Sequence, residues 1–258
     1  AVSDLSVGTL RLAFGIIEPG IGAVKNEEVK LETFFFQNDD QPVLKETLGA
    51  KFQKWPIGDK GVYTSNVTFD VPGKWGVGVS FKSAGGIEKK TSSVIEVTEK
   101  SHAPSIGDKA FPSNNTTANL SGNLSNITTD STPYKPFYEY SIAESIKEGK
   151  AALILFGSPA FCTTGTCGPQ IDIVKNLHSD FSEDVVFIHV EIYENPTEIK
   201  GDISNAKVVQ AVKDWNLPSE PWIFLVDQKG VIKGRFEGLA TYKEIEIALM
   251  ENNFLRSK

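Results

Sequence analysis

Cysteine is nearly absent: the chain has two, Cys162 and Cys167, beside three scattered histidines, His102, His178 and His189. That scarcity argues against a His/Cys zinc cluster and against a disulfide-stapled scaffold, which need several such residues each. Positive charge is also short, with 26 Lys+Arg against 33 Asp+Glu and a net charge of −7. A nucleic-acid partner is therefore not expected, because neutralising phosphates needs a basic surface. No apolar run approaches the ~18–20 residues of a membrane-spanning helix. The start, Ala1 to Phe14, lacks a basic segment followed by an apolar one, so a mature or trimmed form is expected, with any membrane anchor outside this chain.

What is present is ordinary globular material, 40% hydrophobic and 23% charged. The 258 residues exceed what one domain usually needs, so two domains are expected. In residues 1–100, Thr9 to Phe14, Val29 to Phe36, Val62 to Val71, Trp75 to Phe81 and Val94 to Val97 are β-branched or aromatic runs between Gly, Pro, Asn and Asp turns. Inward positions Tyr63, Val67 and Phe69 alternate, the chain turns at Pro72-Gly73, and Trp75, Val77 and Val79 resume the pattern. This segment resembles the penultimate hairpin of immunoglobulin-like sandwiches on prokaryotic surface proteins, which implies a fold class and no particular activity.

Residues 101–135 are rich in Ser, Thr, Asn, Gly and Pro, the composition of a solvated linker. Asn114, Asn115, Asn119, Asn123 and Asn126 each precede Ser or Thr by two positions, and Asn66 is a sixth such triplet. Either chance in a biased segment or a glycosylated stalk on an exported protein accounts for them.

From Ser141 onward helical and strand periods alternate. Ser141-Ile-Ala-Glu144 and Thr241-Tyr-Lys-Glu244 are capping boxes, and Gly149 is a helix stop. Ala151 to Phe156, Val185 to Ile192, Trp222 to Asp227 and Val231 to Phe236 read as strands. Ile171, Val174, Leu177 and Phe181 repeat at helical spacing, as do Val208, Val212 and Trp215. The order α-β-α-β-α-β-β-α describes a mixed sheet with helices on both faces.

With Cys162 and Cys167 between the first of these strands and the next helix, residues 136–258 resemble the thioredoxin-like superfamily. The resemblance places Pro221, in Leu217-Pro-Ser-Glu-Pro-Trp222, at the family's cis-proline, and Gly238 at the glycine before the last helix. It implies thiol-disulfide exchange on protein substrates without a cofactor, with Cys162 attacking by alignment with the first family cysteine and Cys167, near the helix start, as the alternative activated thiol. A concave edge formed by Phe161, Cys162, Pro221 and Trp222 would contact the substrate, while the other reading of Phe161 and Trp222 is core or rim packing. A thiolate is the attacking species, and a helix N-terminus lowers a thiol's pKa. Two departures stand out. Four residues, Thr163 to Thr166, separate the cysteines instead of two, and Leu153 to Phe156 carries no buried acid to handle protons.

Other readings of the pair are a structural disulfide in a surface scaffolding or adhesion protein, copper(I) delivery, and peroxidase activity. Copper delivery in the related Sco proteins adds a histidine near the cis-proline, and Leu217 to Trp222 has none. A peroxidase of the peroxiredoxin type uses an arginine near the third strand, and Arg11, Arg235 and Arg256 are the only arginines. The expectation is an exported two-domain protein: an immunoglobulin-like sandwich at 1–100, a linker at 101–135 and a thioredoxin-like domain at 136–258.

Overall fold

The computed structural model describes residues 2–254 apart from 21, 26–28, 38–40, 57–60, 84, 164 and 200. The chain divides into two compact units, Ala1–Ser101 and His102–Lys258.

The first unit is built of strands. β1 (Gly8–Phe14), β4 (Val29–Phe36), β5 (Pro42–Lys54), β6 (Gly61–Phe69), β7 (Gly73–Lys82) and β8 (Glu88–Val97) form one antiparallel sheet in the order β1-β6-β5-β4-β7-β8. A small ribbon of β2 (Ile17–Glu18) and β3 (Gly22–Ala23) accompanies it. The long β5 joins the halves, pairing with β4 over Pro42–Ala50 and with β6 over Lys51–Lys54. Leu12, Leu31, Tyr63, Val67, Phe69, Trp75 and Val79 from both halves bury a single core. Each such side chain contributes roughly 1.5–3 kcal/mol on leaving water.

Two sequence expectations change here. β6 and β7 share no ladder among the described residues, so Gly61 to Val79 is not a hairpin. The chain passes at Pro72-Gly73 from the half containing β1 and β6 to the half containing β4, β7 and β8. The inward alternation was right because Tyr63, Phe69 and Trp75 meet in the core, where Phe69 and Trp75 pack edge to face at 4.9 Å. β5 has no counterpart among the expected strands: in its first half Val43 and Leu44 lie exposed among Lys, Glu and Thr, and only Leu48, Ala50 and Phe52 alternate toward the core.

The second unit carries a four-stranded mixed sheet, β10-β9-β11-β12, made of β9 (Ala152–Phe156), β10 (Val186–Val190), β11 (Trp222–Val226) and β12 (Ile232–Glu237). β10 runs parallel to β9, while β11 is antiparallel to both β9 and β12. Every residue of β9 and β11 is buried, as expected for central strands covered on both faces. The helices are α1 (Ala118–Ser121), α2 (Ile142–Lys147), α3 (Cys167–Phe181), α4 (Pro196–Ile199), α5 (Gln210–Asp214) and α6 (Tyr242–Glu251). Both expected capping boxes form, at Ser141/Glu144 and Thr241/Glu244, each satisfying otherwise free backbone N–H groups at a helix start. This is the element order and sheet that the thioredoxin-like resemblance implied.

The polar segment 101–135 is not a free linker. The peptide groups of residues 107–110 extend the β12 edge, where Gly107 N–H donates to Ile232 O at 2.9 Å and Ile232 N–H donates to Asp108 O at 2.9 Å. Ala103 and Ala110 enter the core of the second unit, Ser113 Oγ donates to Asp214 at 2.9 Å, and Lys175 Nζ pairs with Asp130 at 3.1 Å. The second compact unit begins at His102 and so takes in this segment. The physical reason is that this segment is held by hydrogen bonds from backbone and short polar side chains, which leave no apolar period to read.

Candidate active site

Cys162 and Cys167 are joined by a disulfide, their α-carbons 6.0 Å apart, inside the usual span for such a bond. The loop before them begins at the end of β9, where Gly157 N–H donates to Val190 O at 3.1 Å and Cys162 N–H closes a turn onto Ser158 O at 2.9 Å. Cys167 is the first residue of α3 and is buried at 1% exposure, whereas Cys162 remains partly exposed. Thr166 is the N-cap and its side chain makes no capping bond. Thr164 lies outside the described residues.

The Glu220–Pro221 peptide is cis. Cys167 and Pro221 both flank Gly157: a Cβ placed on Gly157 would lie 3.5 Å from both Cβ and Sγ of Cys167 and 3.6 Å from Pro221 Cβ. Pro221 O accepts from Gly238 N–H at 2.9 Å, and Gly238 takes a positive φ of 73°, so the expected glycine braces the proline turn. Phe161 stands partly exposed at the loop, its ring edge-on to Tyr193 at 5.9 Å. Trp222 is not on the surface. It is fully buried, stacked on Phe224 at 5.6 Å, and its indole N–H donates to Ser219 Oγ at 3.1 Å. As the first residue of a central strand it turns its ring into the core, which agrees with core packing and leaves no ring face open to solvent.

The acid absent from β9 comes from elsewhere. Glu220 Oε2 lies 3.5 Å from Cys167 Sγ and accepts from Ser158 N–H at 2.6 Å. Burial pushes its carboxyl up to about 7, the Ser158 N–H opposes this, and the nearby Glu191 adds to it. At neutral pH this group can both take and give a proton. The cis turn at Pro221 positions it, and the signal was its place beside a proline already assigned to the cysteines.

Thr129, from the Ser/Thr/Asn-rich segment, is the second residue that sequence reasoning missed. Its N–H and Oγ1–H donate to Glu191 Oε2 at 2.7 and 2.8 Å, and its Oγ1 accepts from Ala160 N–H at 3.2 Å. It thereby pins the cysteine loop to the end of β10. Glu191 is 4% exposed, and its other oxygen accepts from Ile192 N–H at 3.0 Å. Below these lies His189, which sequence position suggested was a core or surface residue. It is buried with both ring nitrogens engaged: Nε2 is 2.9 Å from Gly157 O and Nδ1 is 2.6 Å from Tyr138 Oη. A carbonyl can only accept, so Nε2 carries the proton and Nδ1 accepts from the tyrosine. Burial holds the ring's pKa below its ordinary value, against the pull of Glu191.

No family model matches the chain, and no curated protein matches it. Among solved structures it is similar to a protein described as the thiol:disulfide interchange protein DsbE from Chlorobium tepidum, at 13% identity over 42% of this chain and 82% of that one, TM-score 0.34. It is also similar to StoA from Bacillus subtilis, at 17% identity over 39% and 83% of the two chains, TM-score 0.32. A thio-disulfide isomerase from Thermus thermophilus matches at 18% identity over 48% and 88%, TM-score 0.30. These likenesses are too distant to assign a family or an activity.

Proposed function

We propose that the second unit is a thioredoxin-like thiol-disulfide oxidoreductase acting on protein thiols outside the cytoplasm. The observation that carries this reading is the pairing of a partly exposed Cys162 with a buried Cys167 at the start of α3, with Glu220 beside Cys167 and Pro221 across Gly157 from it. In the reduced state the Cys162 thiolate attacks a substrate disulfide, forming a mixed disulfide and expelling one substrate thiolate. Cys167 then attacks Cys162 Sγ, forming the intramolecular bond and expelling the second thiolate. The substrate gains two electrons and the pair loses two. The proton that Cys167 sheds has an acceptor in Glu220, 3.5 Å away. The reverse sequence oxidises a substrate dithiol.

Accessibility supports these roles: an attacking sulfur must meet a macromolecular substrate, and Cys167 is buried. A structural staple is a weaker account of the pair. Chain-entropy arguments credit a loop this short with about 2 kcal/mol, against about 3 kcal/mol for a fifteen-residue loop. The disulfide fits an oxidising compartment, as would glycosylation at the exposed Asn66, Asn119 and Asn126. The first unit is read as an immunoglobulin-like, non-catalytic module.

The test is exchange between the reduced full-length protein and a disulfide-bonded peptide, with a small dithiol supplied as the electron donor for turnover. Wild-type protein should turn over, Cys167→Ser should accumulate a mixed disulfide through Cys162, and Cys162→Ser should do neither. Equal inertness of all three proteins would overturn the reading in favour of a scaffold with a structural disulfide.

A further inference from the structure

In the disulfide form the two sulfurs and a carboxylate already stand together. One ligand atom each from Cys162, Cys167 and Glu220 lies within 4.8 Å of the other two. We propose that the reduced protein holds a zinc ion on Cys162 Sγ, Cys167 Sγ and a Glu220 carboxylate oxygen, with a fourth position open to water or a substrate atom.

The spacing fits the ion. With Zn–S near 2.3 Å and Zn–O near 2.0 Å, a tetrahedral ion has S···O edges of about 3.5 Å, and Cys167 Sγ to Glu220 Oε2 is 3.5 Å. The S···S edge of the same tetrahedron is about 3.8 Å. Two sulfurs released from a disulfide must part to roughly van der Waals contact, and their α-carbons, 6.0 Å apart, already allow that separation. The surroundings are those of a built site. Ser158 N–H orients the Glu220 carboxylate at 2.6 Å, the kind of outer contact that fixes a metal ligand, and Cys167 is held in the first turn of α3. The donor set selects the metal: two thiolates are too soft for magnesium or calcium, while a carboxylate oxygen is a poor partner for copper(I), which leaves borderline zinc.

Binding exchanges two S–H bonds for two Zn–S bonds and releases both protons to solvent, with no change of oxidation state. A disulfide sulfur pair cannot form these thiolate bonds, so zinc and the disulfide exclude each other and zinc holds the pair reduced. The inference goes beyond thiol-disulfide exchange and needs only that the pair be reducible.

The experiment uses full-length protein, reduced and freed of reductant under anaerobic conditions, beside the disulfide form. Zinc is titrated in competition with a chromophoric chelator, and cadmium serves as a probe whose thiolate charge-transfer absorption reports sulfur ligation. One zinc per reduced chain and none on the disulfide form are expected. Glu220→Gln, close in shape, should weaken zinc by about tenfold or more while keeping the cadmium–thiolate band, and Cys162→Ser should diminish that band. Absence of stoichiometric binding by the reduced chain, equal binding by the disulfide form, or unchanged affinity in Glu220→Gln would each overturn the site. If exchange with the peptide proceeds in the same preparation, only the zinc site falls.

Discussion

Cys167 Sγ and Glu220 Oε2 stand 3.5 Å apart although their residues lie 53 positions apart in the chain. One belongs to the first turn of α3 and the other to the turn that enters β11, so the end of the sheet sets their distance. The contact joins the buried sulfur to a carboxyl whose pKa burial raises to about 7.

Replacing Glu220 with Gln keeps the shape and removes the proton acceptor. Resolution of the mixed disulfide by Cys167 should then slow by roughly 10²-fold, the lower range of general acid–base contributions, while the first attack by Cys162 changes little. Rapid quenching and thiol trapping separate the two steps. Equal slowing of both would show that the carboxyl acts on the loop and not on Cys167.

Thr129→Val removes one hydroxyl from the polar segment. It takes the Oγ1 bonds to Glu191 and from Ala160, at 2.8 and 3.2 Å, and leaves the backbone bond to Glu191 in place. A buried carboxylate that loses a partner costs about 1–3 kcal/mol. Denaturant unfolding should show a loss of that size in the second unit, which would be absent if the segment were a solvated linker.

The same packing predicts where the chain can be cut. A fragment starting at residue 102 should fold, because it keeps the strand-like pairing of 107–110 with Ile232 and the burial of Ala103 and Ala110. A fragment starting at 136 should be less stable or fail to fold, since it exposes the β12 edge and strips Thr129 from Glu191. Circular dichroism and limited proteolysis of the two fragments decide the matter.

His189 makes stability depend on pH. Its folded pKa is held below the ordinary value near 6.5, chiefly by burial, so the unfolded chain binds the proton more tightly. The neutral ring's contribution is complete above about pH 6.5 and is lost as pH falls below that toward the folded pKa, at up to about 1.4 kcal/mol per pH unit. Glu220 works in the opposite direction. Its raised pKa makes the folded state bind the proton more tightly between about 4.5 and 7, so its contribution grows as pH falls through that window. Comparing urea midpoints of wild type and His189→Gln across acid pH isolates the histidine: the wild type should lose stability relative to the variant as pH drops. Parallel curves would contradict a buried neutral ring.

Local pattern alone determined much of the second unit. The capping boxes at Ser141 and Thr241, the apolar runs that became β9 and β11, and a cysteine pair just ahead of a helix follow from neighbours a few residues apart. So did the inward faces of β6 and β7, whose residues alternate with period two. Tertiary structure alone decided which strands pair with which, and so turned an expected hairpin into a crossing between the two halves of a sheet. It also decided that Trp222 turns inward, that Thr129 and Glu191 brace the loop, and that Glu220 meets Cys167. These contacts rest on single hydrogen bonds and on burial between segments far apart in the chain. Such contacts impose no repeat on the residues around them, so a periodic reading of the sequence has nothing to detect until the sheet has assembled.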